Sequence, residues 1–288
     1  MEVAVQILFN TFVAGAIYAL VAIGFNLIYS TARFFDVGYA GIAIGAAYVV
    51  LYTYKTLQFP LVISIACGVI AAGGLGWVIE KTIYKPLRVR KASNTVLLVA
   101  SIGVLTVLQS ILALLFTSQF QTLSRDIGSL HVLEFGGGAI TETQVIIIVT
   151  AIILMCAVMY VLRYSLFGKA IRAIADDEEV ARIVGIPSER LIGFVFFLGS
   201  AIGGVAGIAS GFDSGVHPTS GLTLVLEGII AAIIGGIGNV GRGVLGALLL
   251  AAIENVGVWL VSGEWRGAIA FAVLILVLLF RPRGIFST

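Results

Sequence analysis

The chain has 288 residues, of which 60% are hydrophobic and only 11% charged, with a mean hydropathy of +1.12. Soluble domains carry about a quarter charged residues, so this composition excludes one and points to a polytopic, all-α membrane protein. The net charge of +2 decides little as a total, because in a membrane protein the distribution of Lys and Arg along the chain carries the information.

The opening residues MEVAVQ have no basic region, and the apolar stretch behind them is longer than a signal-peptide core, so the first span is expected to be retained. Apolar runs near the ~20 residues a bilayer requires occur at 6–29, 34–54, 59–79, 95–117, 143–162, 191–211, 222–240, 243–262 and 266–280. This predicts eight or nine transmembrane or re-entrant helices in one membrane domain spanning 1–288. The second and seventh runs are Gly-rich and the last is short, so these three are the candidates for broken or re-entrant segments. The prolines sit at run edges or in loops, where a missing N–H costs least. Cys67 and Cys156 both fall inside apolar runs and define no disulfide framework.

Nine crossings place Arg33, the basic residues of 80–94, those of 163–190, Arg242, Arg281 and Arg283 on one side. Lys55, Arg125 and Arg266 fall on the other. That asymmetry marks the first side, with loop 163–190 and the C-terminus, as cytoplasmic.

Glycines mark contacts between helices. Gly199, Gly203, Gly207 and Gly211 recur every four residues and should let a neighbouring backbone approach closely, and Gly41 and Gly45 suggest a second such face. The run GGIGNVGRG at 235–243 is too dense for a regular helix and predicts a turn or unwound segment near the membrane edge, through packing or as a backbone-lined pathway. The longest segment outside, about 118–142, is expected to form a short surface helix or hairpin, either a solvated loop or a docking surface for an extracytoplasmic partner.

Polar side chains in apolar runs are few: Asn26, Asp36, Ser101, Gln109, Glu227, Asn239, Glu254 and Asn255. A carboxylate at membrane depth is costly unless it faces a cavity or a partner. Asp36 lies three residues from Arg33 and can pair with it near the surface. Glu227 lies near the outer end of its run, and Glu254 falls in the middle of its own, where it can serve a structural hydrogen bond or transport.

The stretch Arg163–Arg190 interrupts the hydrocarbon pattern with ten charged residues in 28. Asp176 with Glu179 three residues on predicts a helix start of capping-box type, Arg182 the last turn, Gly185 the C-terminal cap and Pro187 the stop. Val180, Ile183 and Val184 give that helix an apolar stripe, with Ala173 and Ile174 upstream. About nine residues are too few for a helix alone in water, so packing on this chain or in a partner's groove must hold it.

The sequence contains no HExxH, no GxSxG and no GxxxxGK[ST], so neither a catalytic nor a metal site is expected, and ATP binding by this chain is excluded by the usual route. One segment is diagnostic at this point. FGKAIRAIADDEEVARIVGI at 167–186 resembles the cytoplasmic coupling segment of the permeases of branched-chain amino-acid ABC importers of the LivH/LivM type. TVLLVASIGVLTVLQS at 95–110 and EGIIAAIIGGIGNVGRGVLGALLLAAIEN at 227–255 agree, and RFFDVGYAGIAIGAAY at 33–48 is similar more loosely.

The resemblance implies a subunit of a prokaryotic inner-membrane importer. Its expected partners are a second permease subunit in a heterodimer, two ABC ATPase subunits that use ATP and Mg, an extracytoplasmic substrate-binding protein and the lipid bilayer; no cofactor is expected in this chain, and no nucleic-acid partner. It implies an ATPase-docking element made by Gly168, Ala173, Asp176, Ala181, Gly185 and Ile186. Asn26, Asp36, Tyr39, Gln109, Asn239 and Glu254 are the candidate pathway residues. Asp36 and Tyr39 depart from the family's usual Asn and His in the early motif, which bears on the substrate, a branched-chain amino acid or another small polar nutrient. The alternative reading is an ion-coupled secondary transporter or channel with Asp36, Glu227 and Glu254 as coupling sites.

Overall fold

The structure is a computed structural model describing residues 2–123, 132–135, 137–281 and 284–286. Each of the nine apolar runs forms a helix: α1 (Glu2–Ala32), α2 (Tyr39–Lys55), α3 (Leu61–Ile79), α5 (Asn94–Phe116), α6 (Glu142–Tyr164), α9 (Ser188–Asp213), α10 (Ser220–Gly235), α11 (Val240–Leu260) and α12 (Arg266–Phe280). Three short helices, α4 (Lys85–Val89), α7 (Leu166–Asp176) and α8 (Glu178–Ile183), gather at the end richest in basic residues. A π-helical turn, Glu80–Tyr84, joins α3 to α4.

Seven of these segments are long and apolar enough to cross a membrane, including Gly263–Phe280, in which a 3₁₀ turn lengthens α12 to 18 residues. The two others are α2, with 17 residues, and α10, with 16. These are the Gly-rich runs, and the reason for their brevity is visible in how they begin. Arg33, at φ 58°, ends α1 in the left-handed region, and the chain turns back inward through Phe34–Gly38 without helix. Tyr39, the first residue of α2, packs against Gly24 and Gly203, both well inside their helices. Gly24 lies eight residues before the end of α1, roughly 12 Å from it. Gly221, at the start of α10, lies against the Ala40 carbonyl, so the two short helices begin side by side within the protein.

Non-helical backbone at this depth needs internal partners. The Ser101 hydroxyl of α5 accepts from the Val37 N–H at 3.1 Å and lies 3.4 Å from the Phe35 carbonyl, while Ala40 N–H donates to the Val37 carbonyl at 3.0 Å. That use of Ser101 explains a fully buried hydroxyl in an apolar helix.

Helices α1, α2, α9 and α10 form the buried centre, and α6 and α12 turn most of their apolar side chains outward, as lipid-facing helices do. The four-residue glycine repeat of α9 sets the close contacts. Gly199 meets Ile28 and the Gly24 carbonyl, Gly203 the Tyr39 ring, Gly207 the Ala43 carbonyl, and Gly211 meets Leu123, Val216 and Ala47. A methyl group at Gly207 would run into backbone. The second glycine face holds only in part: Gly41 packs on Leu108, whereas Gly45 has open space where a Cβ would stand. Spacing by four identifies a face without identifying its neighbour.

The segment 235–243 is a turn, as its composition predicts. Gly236 and Gly238 carry φ of 109° and 84°, and Asn239 caps α11 by accepting the Arg242 N–H. Within 118–142 the described residues include an antiparallel hairpin, β1 (Val132–Phe135) with β2 (Gly138–Thr141) in register Val132 to Thr141. It is tied to α1 through Ala139 N–H and Gln6 Oε1 at 2.8 Å. His131, Arg125, Pro282 and Arg283 lie outside the described residues. Both cysteines are free.

Candidate functional site

Two regions collect the singled-out residues: the charged surface element α7–α8 and the polar groups buried among α1, α2, α10 and α11.

The surface element is two helices rather than one of about nine residues. Ser165 caps α7 by accepting the Gly168 N–H at 3.0 Å, and a Cβ at Gly168 would collide with the Leu162 backbone. Asp177 then takes an extended conformation, φ −153° and ψ 113°, which separates α7 from α8. The predicted cap at Asp176 is therefore displaced by one residue. Asp177 accepts the N–H groups of Glu179 and Val180 at 2.8 and 3.0 Å, whereas Asp176 closes α7. The competing choice is physical: both acids suit a first turn, but only the extended one can turn its carboxylate onto the following N–H groups.

The other end follows the sequence reading. Gly185 sits at φ 88°, its N–H donates to the Arg182 carbonyl and the Ile186 N–H to the Ala181 carbonyl, a Schellman closure. Ala181 is buried beneath it, and Ala173 passes its carbonyl to the Asp177 N–H. The break at Asp177 also rotates the apolar stripe. Ile174 is buried, while Val180, Ile183 and Val184 are 54, 83 and 70% exposed, so the upstream residues do not share their face. Leu166, at the start of α7, adds another apolar side chain at 82% exposure.

Arg33 links this element to the membrane helices. Its guanidinium donates to the Ala175 carbonyl and lies 3.4 Å from the Asp176 carbonyl, at the negative end of α7. The expected Arg33–Asp36 pair is thus absent: the left-handed turn sends Asp36 inward and leaves Arg33 outside. An open polar cavity of about 470 Å³ lies between the end of α1 and the surface element, lined by Tyr29, Thr31, Arg33, Asn94, Ile174, Asp176 and Glu178.

The buried polar groups fall into separate clusters. Asp36, 1% exposed, accepts the Tyr84 hydroxyl at 2.6 Å through Oδ1, and its Oδ2 has no hydrogen-bond partner among the described residues. Glu80, on the π turn, pairs with Arg88 at 2.6 Å. Nearby, Lys85 and Glu189 join α4 to α9 at 2.7 Å. Asn26 accepts the Gly238 N–H at 2.9 Å, bringing α1 to the turn that Asn239 closes.

Glu254 is fully buried in α11 and accepts the Tyr18 hydroxyl of α1 at 2.7 Å. Glu227 is half-buried on α10, within electrostatic range of Glu254. Gln109 stands apart, half-buried on α5. Tyr18 and Glu80 escaped the sequence reading, and Tyr84, whose place suggests a membrane-interface aromatic, is instead buried on Asp36. Tyrosines are common near membrane interfaces, and their partners lie 236 and 48 residues away for Tyr18 and Tyr84, so no local spacing reveals the pairs.

The family described as "Branched-chain amino acid transport system / permease component" matches residues 7–278. The chain is 30% identical over 292 aligned positions to the high-affinity branched-chain amino acid transport system permease protein LivH of Escherichia coli (strain K12), covering 97% of this chain and 94% of that one. It is 29% identical, with the same coverage, to the permease protein BraD of Pseudomonas aeruginosa. A chain in the structure of PsaBC from Streptococcus pneumoniae in complex with Fab superposes with a TM-score of 0.54 over 96% of this chain and 93% of that one, at 12% identity, which is a likeness of fold. By the extent of these matches, the chain belongs to the permease components of branched-chain amino acid transport systems.

Proposed function

We propose that this chain is the membrane-spanning permease subunit of an ATP-driven importer that carries branched-chain amino acids or related small polar nutrients across a prokaryotic inner membrane, with α7–α8 on the cytoplasmic side. A second permease subunit completes the pathway, two ATPase subunits supply the force, and an extracytoplasmic binding protein delivers the substrate. The hairpin side is then the delivery side.

The observation that carries this reading is the outward stripe Val180, Ile183 and Val184. Three large apolar side chains on a six-residue helix and its C-terminal cap have no internal reason to face water, and together with Leu166 they make an anchor suited to a groove in another protein. The helix is too short to persist by propensity and is held by the Asp177 cap and the Gly185 closure. Its position is fixed relative to α1 by Arg33, which stands at the point where α1 ends and the inward turn to α2 begins.

The mechanism follows from that link. Force applied to α8 passes through α7 to the end of α1 and to the Phe34–Gly38 turn, a non-helical stretch inside the helical centre. Rocking α1 and α2 against α9 is compatible with the small-residue contacts at Gly199, Gly203 and Gly207, which allow backbones to move past one another at short range. The permease needs no catalytic residue, since the ATPase performs the chemistry.

The test is reconstitution of the complete complex in vesicles with labelled leucine and ATP. ATP-dependent uptake that requires the ATPase subunits supports the reading. Full transport by the permease with no ATPase present would contradict it and favour ion coupling through the buried acids.

A further inference from the structure

Four membrane helices leave an open groove between them. On α9, Leu198, Ala201, Ile202 and Val205 recur at helical spacing and form its floor, with Leu27 of α1 beside them. Val69 of α3 stands on one flank, and α6 makes the other from Leu154 to Leu162, a length of roughly 12 Å. The cavity measures about 240 Å³, and every side chain lining it is apolar. Ala157 and Val161 are exposed, so the groove opens along α6 at the surface of the membrane helices. It exists because α6 packs mainly on α1 and hardly touches α9.

The end of the groove nearest α7 is built differently. One turn before Leu198, on the same face of α9, stands Phe194. Its ring meets Phe167 of α7 edge-on at 5.2 Å and stacks on Phe197 at 6.2 Å. Phe197 lies against Gly73 of α3, so an aromatic ledge crosses this end from α7 to α3.

Two cations flank the ledge. Lys81, on the α3 side, sits over the Trp77 ring at 5.8 Å and beside Gly193, the residue before Phe194. Arg172, on the α7 side, donates through Nη1 to the carbonyl of Leu162, where the α6 wall ends. Neither makes an ion pair among the described residues. The acids on this side, Glu80 and Glu189, are already paired with Arg88 and Lys85. Arg163 and Lys169, both exposed, add to the positive charge at the corner of α6 and α7.

An apolar slot that opens among membrane helices and ends at unpaired cations is complementary to a molecule with a hydrocarbon tail and an anionic head. A transmembrane helix, about 10 Å across with its side chains, would lie over a cavity of this size without entering it. We infer that the groove holds one acyl chain of an anionic phospholipid, whose phosphate is bound by Lys81 and Arg172. The bound lipid touches α3, α6, α7 and α9 together and so links α7 to α3 across the groove. Its place in the cytoplasmic leaflet rests on the orientation proposed above; the site itself does not.

The isolated permease tests this without transport, so failure here leaves the importer reading intact. Lipid retention is measured by native mass spectrometry with phosphatidylglycerol and phosphatidylcholine of matched chains. The wild type should retain one phosphatidylglycerol in preference, by about fivefold for each of the two cations. Lys81→Gln and Arg172→Gln should each lower the preference by that factor. Ala157→Phe, which fills the groove and leaves the cations in place, should abolish retention. Equal retention of the two lipids by the wild type overturns the site, and so does an unchanged preference in A157F, which would mean surface attraction alone. Should R172Q fail to fold, K81Q and A157F carry the test. A photo-reactive side chain at position 157 in the complete complex then separates the occupants. Cross-linking to phospholipid supports the assignment, and cross-linking to the second permease subunit overturns it.

Discussion

The guanidinium of Arg33 donates to the carbonyl of Ala175, 142 residues away in sequence, and so joins the last turn of α7 to the residue that ends α1. Arg33 is itself in the left-handed region at the break between α1 and α2, so on the function proposed above movement of α7 would be passed to that break.

Replacing Arg33 with Ala should therefore separate assembly from transport. The variant is expected to insert and to retain the ATPase subunits, yet to lose several-fold in substrate moved per ATP hydrolysed, in line with the loss of a charge-assisted hydrogen bond. An unchanged ratio of uptake to hydrolysis would show that coupling runs through other contacts.

Tyr39 tests how the centre is packed. Its ring occupies a space left by the missing side chains of Gly24 and Gly203, and its hydroxyl lies 3.5 Å from the Val21 carbonyl, a weak contact. Tyr39→Phe should cost little, because the ring still fills the space. Tyr39→Ala should cost about 3–5 kcal/mol by leaving a cavity. Denaturant unfolding in detergent distinguishes the two.

Two glycines make a matched pair. Gly207→Ala brings a methyl group onto the Ala43 backbone, which cannot swing aside, and should destabilise by about 1–3 kcal/mol. Gly45→Ala meets nothing within 4 Å and should be stable to within about 0.5 kcal/mol. The same unfolding assay reads both, and a reversed order would contradict the packing of α2 on α9.

The reassigned cap is tested by neighbouring acids. Asp177→Ala removes the acceptor for two N–H groups and should weaken α8 by about 1 kcal/mol, seen as faster amide exchange in 178–184. Asp176→Ala leaves those bonds in place and should not change the exchange.

Much of this arrangement is legible in the sequence, and the parts that are not share a cause. Nine apolar runs give nine helices because length and hydropathy are local properties, and the α9 glycines mark a real contact because four-residue spacing defines one face. Local pattern cannot show that the chain reverses at Arg33. Three residues of separation suggest a surface pair with Asp36, whereas one left-handed residue sends the two in opposite directions. Nor can it show Tyr18 bonded to Glu254, since two helices from opposite ends of the chain must first be packed. The cap moved from Asp176 to Asp177 because adjacent acids are equivalent until the backbone conformation chooses between them.

The central claim is that α8 receives the ATPase through its apolar stripe, and Ile183, 83% exposed, is where it is most directly tested. Ile183→Glu places a charge at that contact without touching a buried group, so insertion and folding should be unchanged. Co-purification of the ATPase subunits with the variant permease is the measurement. Loss of the ATPase, with normal permease yield, is the predicted result. An ATPase that remains bound and fully stimulated would contradict the account.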